Sequence, residues 1–114
     1  MKGYDQDCPV ARTLDVVGGK WALLILRDLF LHRARRFQDF QDSLKGIAPN
    51  TLSARLKSLE DQDVITSRLY CKHPPRAEYL LTEKGSALGP VVQAMRAWGQ
   101  AHTESDSVVA TRGR

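Results

Sequence analysis

Pro49-Asn50-Thr51-Leu52-Ser53-Ala54-Arg55-Leu56-Lys57 sets short hydrogen-bonding side chains beside two cations. Asn50, Thr51 and Ser53 are compact enough to approach base edges in a DNA groove, while Arg55 and Lys57 reach bases or phosphates. A second set lies further along, in Lys72-His73-Pro74-Pro75-Arg76. Its cations suit phosphate or minor-groove contact, and the paired prolines stiffen the loop so that less entropy is lost on docking. Arg36 and Arg68 flank these two sets. Taken singly, each set also reads as a solvated helix face or a solvated turn.

Other chemistry is poorly supported. His32, His73 and His102 lie far apart with no ligand spacing, and Cys8 and Cys71 form no CxxC pair, so no metal site is expected. Gly18-Gly19-Lys20 falls short of a phosphate loop, because Trp21 stands where a Ser or Thr would ligate magnesium. Asp39 and Asp42 share a helix face, as solvated charges usually do. No nucleophile stands near a base in the pattern, so an enzyme is not expected, nor a cofactor.

Cys8 is a different matter. It precedes Pro9, a good first residue of a helix, so its thiol faces the positive end of a helix dipole, which favours the reactive thiolate. Arg12, one turn on, adds to that field. The alternative is a small side chain packed at a helix start. Cys71 reads as incidental.

These groups need elements to hold them. Val10, Leu14 and Val17 recur at helical spacing after Pro9, and Gly18-Gly19 closes that helix. A second helix, Lys20 to Leu31, is apolar on most sides and reads as a buried central post. Phe37, Phe40 and Leu44 define a short amphipathic helix, and Lys45-Gly46 a tight turn. The next helix spans Pro49 to Asp61. Leu52, Leu56 and Leu59 form its buried stripe, and Asn50, Ala54 and Lys57 the opposite face. Val64–Tyr70 and Ala77–Leu81 read as strands of a hairpin closed by residues 71–76. Thr82 can cap a last helix, kinked at Gly89-Pro90, with an apolar stripe of Leu88, Val91, Val92, Met95 and Trp98. The expected fold is therefore mainly α with a small β-hairpin wing, a winged helix-turn-helix. The domain covers residues 8–102, with flexible tails at 1–7 and 103–114.

Composition agrees. The chain has 114 residues and a net charge of +4, enough for one domain with a modest core. Between Arg33 and Arg76 there are nine lysines and arginines against five carboxylates, so this segment carries the whole excess. No apolar run approaches the about 20 residues of a membrane span. No membrane partner is expected, and cytoplasmic, thiol-reducing surroundings are. So small a domain cannot bury its own core and the long terminal stripe as well. Val10 and Leu14 on the first helix, with Leu88, Val91, Val92, Met95 and Trp98 on the last, are accordingly expected to meet a partner surface.

The order Cys8-Pro9-Val10, Gly18-Gly19-Lys20-Trp21, Arg36-Phe37, Leu44-Lys45-Gly46-Ile47, Leu52 through Leu59, Pro74-Pro75-Arg76, Tyr79-Leu80-Leu81-Thr82 with Gly85, and Trp98-Gly99 resembles the HxlR-type bacterial transcription regulators, winged-helix proteins related to the MarR group. The resemblance spans residues 8 to about 100. It implies a homodimer on a pseudo-palindromic double-stranded DNA operator, with Pro49–Asp61 as recognition helix and residues 71–76 as wing. It also implies a candidate role for Cys8 in sensing a small electrophile or oxidant. Two positions depart from the pattern: Ala48 replaces a capping Ser, and Asp63 a Gly at the helix exit. The resulting expectation is a sequence-specific DNA-binding regulator, a repressor rather than an activator. The alternatives are a winged-helix module that binds protein, and a regulator gated by a non-covalent small ligand.

Overall fold

A computed structural model describes residues 8–104. The tail expected over 1–7, and all of that expected over 103–114 except Thr103 and Glu104, lie outside the described residues. Helix α1 (Pro9–Val17) starts on Cys8 as its cap and ends at Gly18. Gly19, at φ +89°, turns the chain into α2 (Lys20–Leu31). The predicted central post is real: Ile25, Leu26 and Leu29 of α2 are sealed in the core. Burying each such side chain contributes roughly 1.5–3 kcal/mol.

Strand β1 (Arg35–Arg36) leads directly into α3 (Phe37–Ser43), which ends at a turn where Gly46 takes φ +90°. Helix α4 (Pro49–Asp61) has the boundaries its sequence predicted. Phe40, Leu44 and Ile47 from the first limb meet Leu52, Leu56 and Leu59 from the second in the same cluster as α2. Two helices pinned through one leucine stripe leave the other face of α4 outside.

The hairpin is β2 (Ile65–Cys71) with β3 (Arg76–Leu81), so Lys72–Pro75 alone forms the turn. Strand β1 completes an antiparallel sheet of order β1-β3-β2. That third strand is absent from the sequence reading. Two residues carry no alternation, and their pairing, Arg35 with Tyr79 and Arg36 with Glu78, is made by the tertiary fold.

The terminal helix departs from expectation. It is not one kinked helix but two: α5 (Glu83–Ser86), capped by Thr82, and α6 (Gly89–His102). Pro90 lacks an amide proton and fits the first turn of a new helix better than the middle of an old one. The break also removes Leu88 from the stripe expected to meet a partner. As cap of α6 it is half-buried and packs on the core of its own chain.

Candidate nucleic-acid interface

Helix α4 carries the first set of groups. Pro49 occupies its first turn, and Ala48, the capping residue, supplies no side-chain bond to the helix amides. Asn50, Ser53, Ala54, Arg55 and Lys57 are exposed, and Thr51 is half-buried. Of the cations, Lys57 pairs with Asp61 one turn on at 3.5 Å, both ends well exposed, a contact that water screens heavily. Leu52, Leu56 and Leu59 point the other way into the core.

The exit of α4 is unusually well held. Asp63 takes φ +62°, the left-handed conformation for which glycine carries no steric cost. Asp63 is kept there by its neighbours: the Thr82 hydroxyl donates to the Asp63 carbonyl at 2.6 Å, and the Thr82 amide to the Val64 carbonyl at 3.1 Å. The Lys84 ammonium donates to the Gln62 carbonyl at 2.9 Å, and the Gln62 side chain reaches the Asp15 carbonyl of α1 at 3.4 Å. The cap expected at Thr82 is present, its hydroxyl accepting from the Gly85 amide at 3.0 Å.

In the wing, Lys72, His73 and Arg76 are exposed around the turn, whose His73–Pro74 bond is cis. Cys71 closes β2 and is half-buried. The two flanking arginines are more encumbered than their sequence suggests. Arg36 and Arg68 both stand opposite Glu78 in the register, on one face of the sheet. Arg68 Nε donates to Glu78 at 2.8 Å, and Arg36 grips Asp39 through Nε and Nη2 at 3.1 and 2.9 Å. The Arg36 amide adds a third bond to Asp39 at 2.9 Å. These bonds raise the guanidinium pKa, with the Tyr70 hydroxyl contributing next, and hold the Asp39 carboxyl down at about 2. Two cations counted toward an anionic partner thus already share two carboxylates. The Arg36–Asp39 pair falls within one turn of sequence, whereas Arg68–Glu78 needed the strand register.

A further polar group went unnoticed in the sequence. Asp28, inside the apolar α2 run, is buried, with Arg27 Nη2 at 3.0 Å and Arg35 Nη2 at 3.4 Å. Arg35 also reaches the Asp39 carbonyl at 3.3 Å. The central post is thereby tied to β1 and α3, which launch the helix-turn-helix. An acid inside an otherwise apolar helix was the signal.

The remaining candidates lie elsewhere. Cys8 is half-buried at the start of α1. Val10 and Leu14 are exposed on that helix at 68% and 40%, and Val91, Met95 and Trp98 on α6 at 38%, 52% and 62%. Val92 is half-buried and lines an apolar groove between α2 and α6 with Leu24, Phe30 and Met95. Among the described residues no three His, Cys, Asp or Glu gather as a metal would require, and no helix is long and apolar enough to cross a membrane.

A helix-turn-helix with an outward polar face, followed by a basic β-wing on a three-stranded sheet, defines the winged-helix class of DNA-binding proteins. The comparisons name the branch. The HxlR-like helix-turn-helix family matches residues 16–107. The HTH-type transcriptional regulator YdeP of Bacillus subtilis (strain 168) is 37% identical over 108 residues, 94% of this chain and 84% of YdeP. The redox regulator HypR in its oxidised form superposes with a TM-score of 0.79 at 35% identity, covering 86% of this chain and 100% of HypR. Reduced YodB, a transcriptional regulator from B. subtilis, gives 0.70 at 32% identity, with 85% and 95% covered. The chain belongs to the HxlR-like helix-turn-helix family and is a DNA-binding transcriptional regulator.

Proposed function

We propose that the protein is a homodimeric repressor that occupies a pseudo-palindromic operator. Helix α4 enters the major groove from its Pro49 end, with Asn50, Thr51 and Ser53 at base edges, Ala54 on the facing surface, and Arg55 and Lys57 on bases or phosphates. The wing lays Lys72, His73 and Arg76 against the backbone or the adjacent minor groove. Arg36 and Arg68 act as flanks whose charge is shared with Asp39 and Glu78. The dimer is built on Val10 and Leu14 of α1 and Val91, Val92, Met95 and Trp98 of α6. The observation that carries this reading is the division of α4 into a sealed leucine face and an exposed polar one.

The test is selection of binding sequences from a random DNA pool, followed by gel shifts at two salt concentrations. An enriched sequence with inverted symmetry and an affinity that falls steeply with salt is expected. In Asn50→Ala, the loss at the matched base should be on the order of 1–3 kcal/mol, with little change on random DNA. A protein-binding module on the same fold would enrich nothing.

A specific observation favours one form of control. Cys8 stands at the start of α1, two residues from the exposed Val10 of the proposed dimer face, and two structural neighbours are HypR, a redox regulator, and YodB, solved also after diamide treatment. A small electrophile or oxidant that modifies Cys8 would change the spacing of the two recognition helices, which are read about one DNA turn apart. Oxidant should weaken operator binding by wild type and by Cys71→Ser but not by Cys8→Ser. An unaltered response in Cys8→Ser assigns the thiol to packing.

A further inference from the structure

Beyond Ile65 the hairpin leaves the core. Residues 66–70 of β2 are exposed, and β2 is an edge of the β1-β3-β2 sheet. Its ladder with β3 sets the register but not the angle at which the strand stands to α4. A polar contact meets it there: the Ser67 hydroxyl donates to Glu60 Oε2 at 3.0 Å. Ser67 follows the buried Ile65 by two, so it lies on the core-facing side of the strand. Glu60 follows the sealed Leu56 by four, so it borders the leucine stripe of α4.

Tyr79 extends the contact. It lies opposite Ser67 in the register and packs on Phe40 of α3, with ring centroids 6.1 Å apart. Its hydroxyl pKa is raised by burial and next by the Glu60 carboxylate, so that charge stands near the tyrosine too. Among the described residues, Glu60–Ser67 is the side-chain hydrogen bond that joins α4 to the hairpin strands, and Glu60 enters no ion pair. A carboxylate on a helix that meets DNA is otherwise adverse, because it repels phosphate.

We propose that Glu60 is a positioning residue for DNA recognition: through Ser67 it clasps the wing at a set angle to α4. Lys72 and Arg76 then reach phosphates while Asn50 and Ser53 reach bases. This role rests on the DNA contacts proposed for α4 and the wing, whereas the clasp itself does not. With the clasp open the edge strand moves more freely beyond Ile65, and ordering the wing cations on DNA costs entropy. Charge alone predicts the opposite sign. Removing a carboxylate lowers repulsion and tightens binding to any sequence, whereas losing a clasp weakens it.

The experiment compares Glu60→Ala, Glu60→Gln and Ser67→Ala in the full chain, by backbone amide relaxation without DNA and by gel shifts on the selected operator at several salt concentrations. The amides of Lys72, His73 and Arg76 should gain motion in both alanine variants, while those of α4 keep wild-type values. Glu60→Gln keeps a carbonyl that accepts from Ser67 and should stay near wild type. Ser67 is exposed, so its alanine variant folds and reads the clasp even where Glu60→Ala does not. On the operator both alanine variants should bind roughly three- to tenfold more weakly and lose about one unit of salt slope, as for one lost phosphate contact. In a chain that already carries Lys72→Ala and Arg76→Ala, Glu60→Ala should add less than about twofold, because the contacts it positions are gone. Wing amides that do not change in either alanine variant, or a Glu60→Gln as loose as Glu60→Ala, would overturn the clasp. Tighter operator binding by Glu60→Ala, or its full effect repeated on top of the two wing substitutions, would overturn the positioning role. A wing that loosens while Arg76→Ala leaves the salt slope unchanged would overturn the wing's contact with DNA and leave the clasp standing.

Discussion

Gly85 lies so close to the carbonyl of Val64 that a β-carbon at residue 85 would overlap that oxygen. The contact brings α5 against the exit of α4, where Thr82 and Lys84 add their bonds. In Gly85→Ala the new methyl would meet the Val64 backbone, which cannot swing aside as a side-chain tip can, with Leu81 Cδ2 also close. The substitution is expected to destabilise the fold by about 2 kcal/mol or more, seen as a lower urea midpoint at unchanged slope. An alanine variant as stable as wild type would mean that α5 can shift without cost.

Acid should release the Arg36–Asp39 pair. The Asp39 carboxyl is held at about 2, below its ordinary 3.8, by the Arg36 guanidinium and amide. A carboxyl depressed in the folded state stabilises it above about pH 4, and that stabilisation fades as pH falls from there through about 2. Since Arg36 is open to water, solvent screening keeps the contribution small. Asp39→Asn should therefore destabilise the protein at neutral pH, by an amount that shrinks steadily as pH falls from about 4 through about 2, seen by denaturant titration at each pH. A difference that stays constant with pH would contradict the account.

The wing cations should not be equal. Arg76 is exposed at the start of β3 with no ion pair among the described residues, whereas Arg68 is tied to Glu78. Arg76→Ala is expected to weaken binding to all sequences alike and to flatten the salt slope by about one unit, as losing a phosphate contact does. Arg68→Ala should have the smaller effect on slope. The reverse order would show that the Glu78 pair opens on DNA.

Met95 tests the dimer. It is exposed at the centre of the α6 face formed with Val91 and Trp98, where glutamate would place an unpaired charge in a dry contact. Sedimentation equilibrium of Met95→Glu should give monomers that keep wild-type helix content. Wild-type protein that is already monomeric at micromolar concentration would dispose of the interface.

The legible parts of this chain are those written in local pattern. The bounds of helix α4 are legible because Pro49 marks its start and three leucines mark its face, both within four turns of sequence. The Thr82 cap was visible for the same reason. What stayed hidden depends on contacts made across the fold. Strand β1 exists only because β3 runs beside it, and Arg68 meets Glu78 only in the register that the hairpin sets. Leu88 has the right spacing for the stripe beyond it, but Pro90 starts a new helix and turns that phase away. Asp28 carried a signal, an acid in an apolar run, whose partners no spacing rule could name.

The two faces of α4 carry different evolutionary constraints. Leu52, Leu56 and Leu59 are locked among neighbours, so each substitution there is judged by the stability of the whole chain. Asn50, Ser53 and Arg55 stand exposed on the opposite face, and replacing them changes folding free energy by only roughly 0.5 kcal/mol. With that face reading DNA as proposed above, descendants of this sequence can drift toward new recognition sequences by single steps, without first acquiring compensating mutations in the interior.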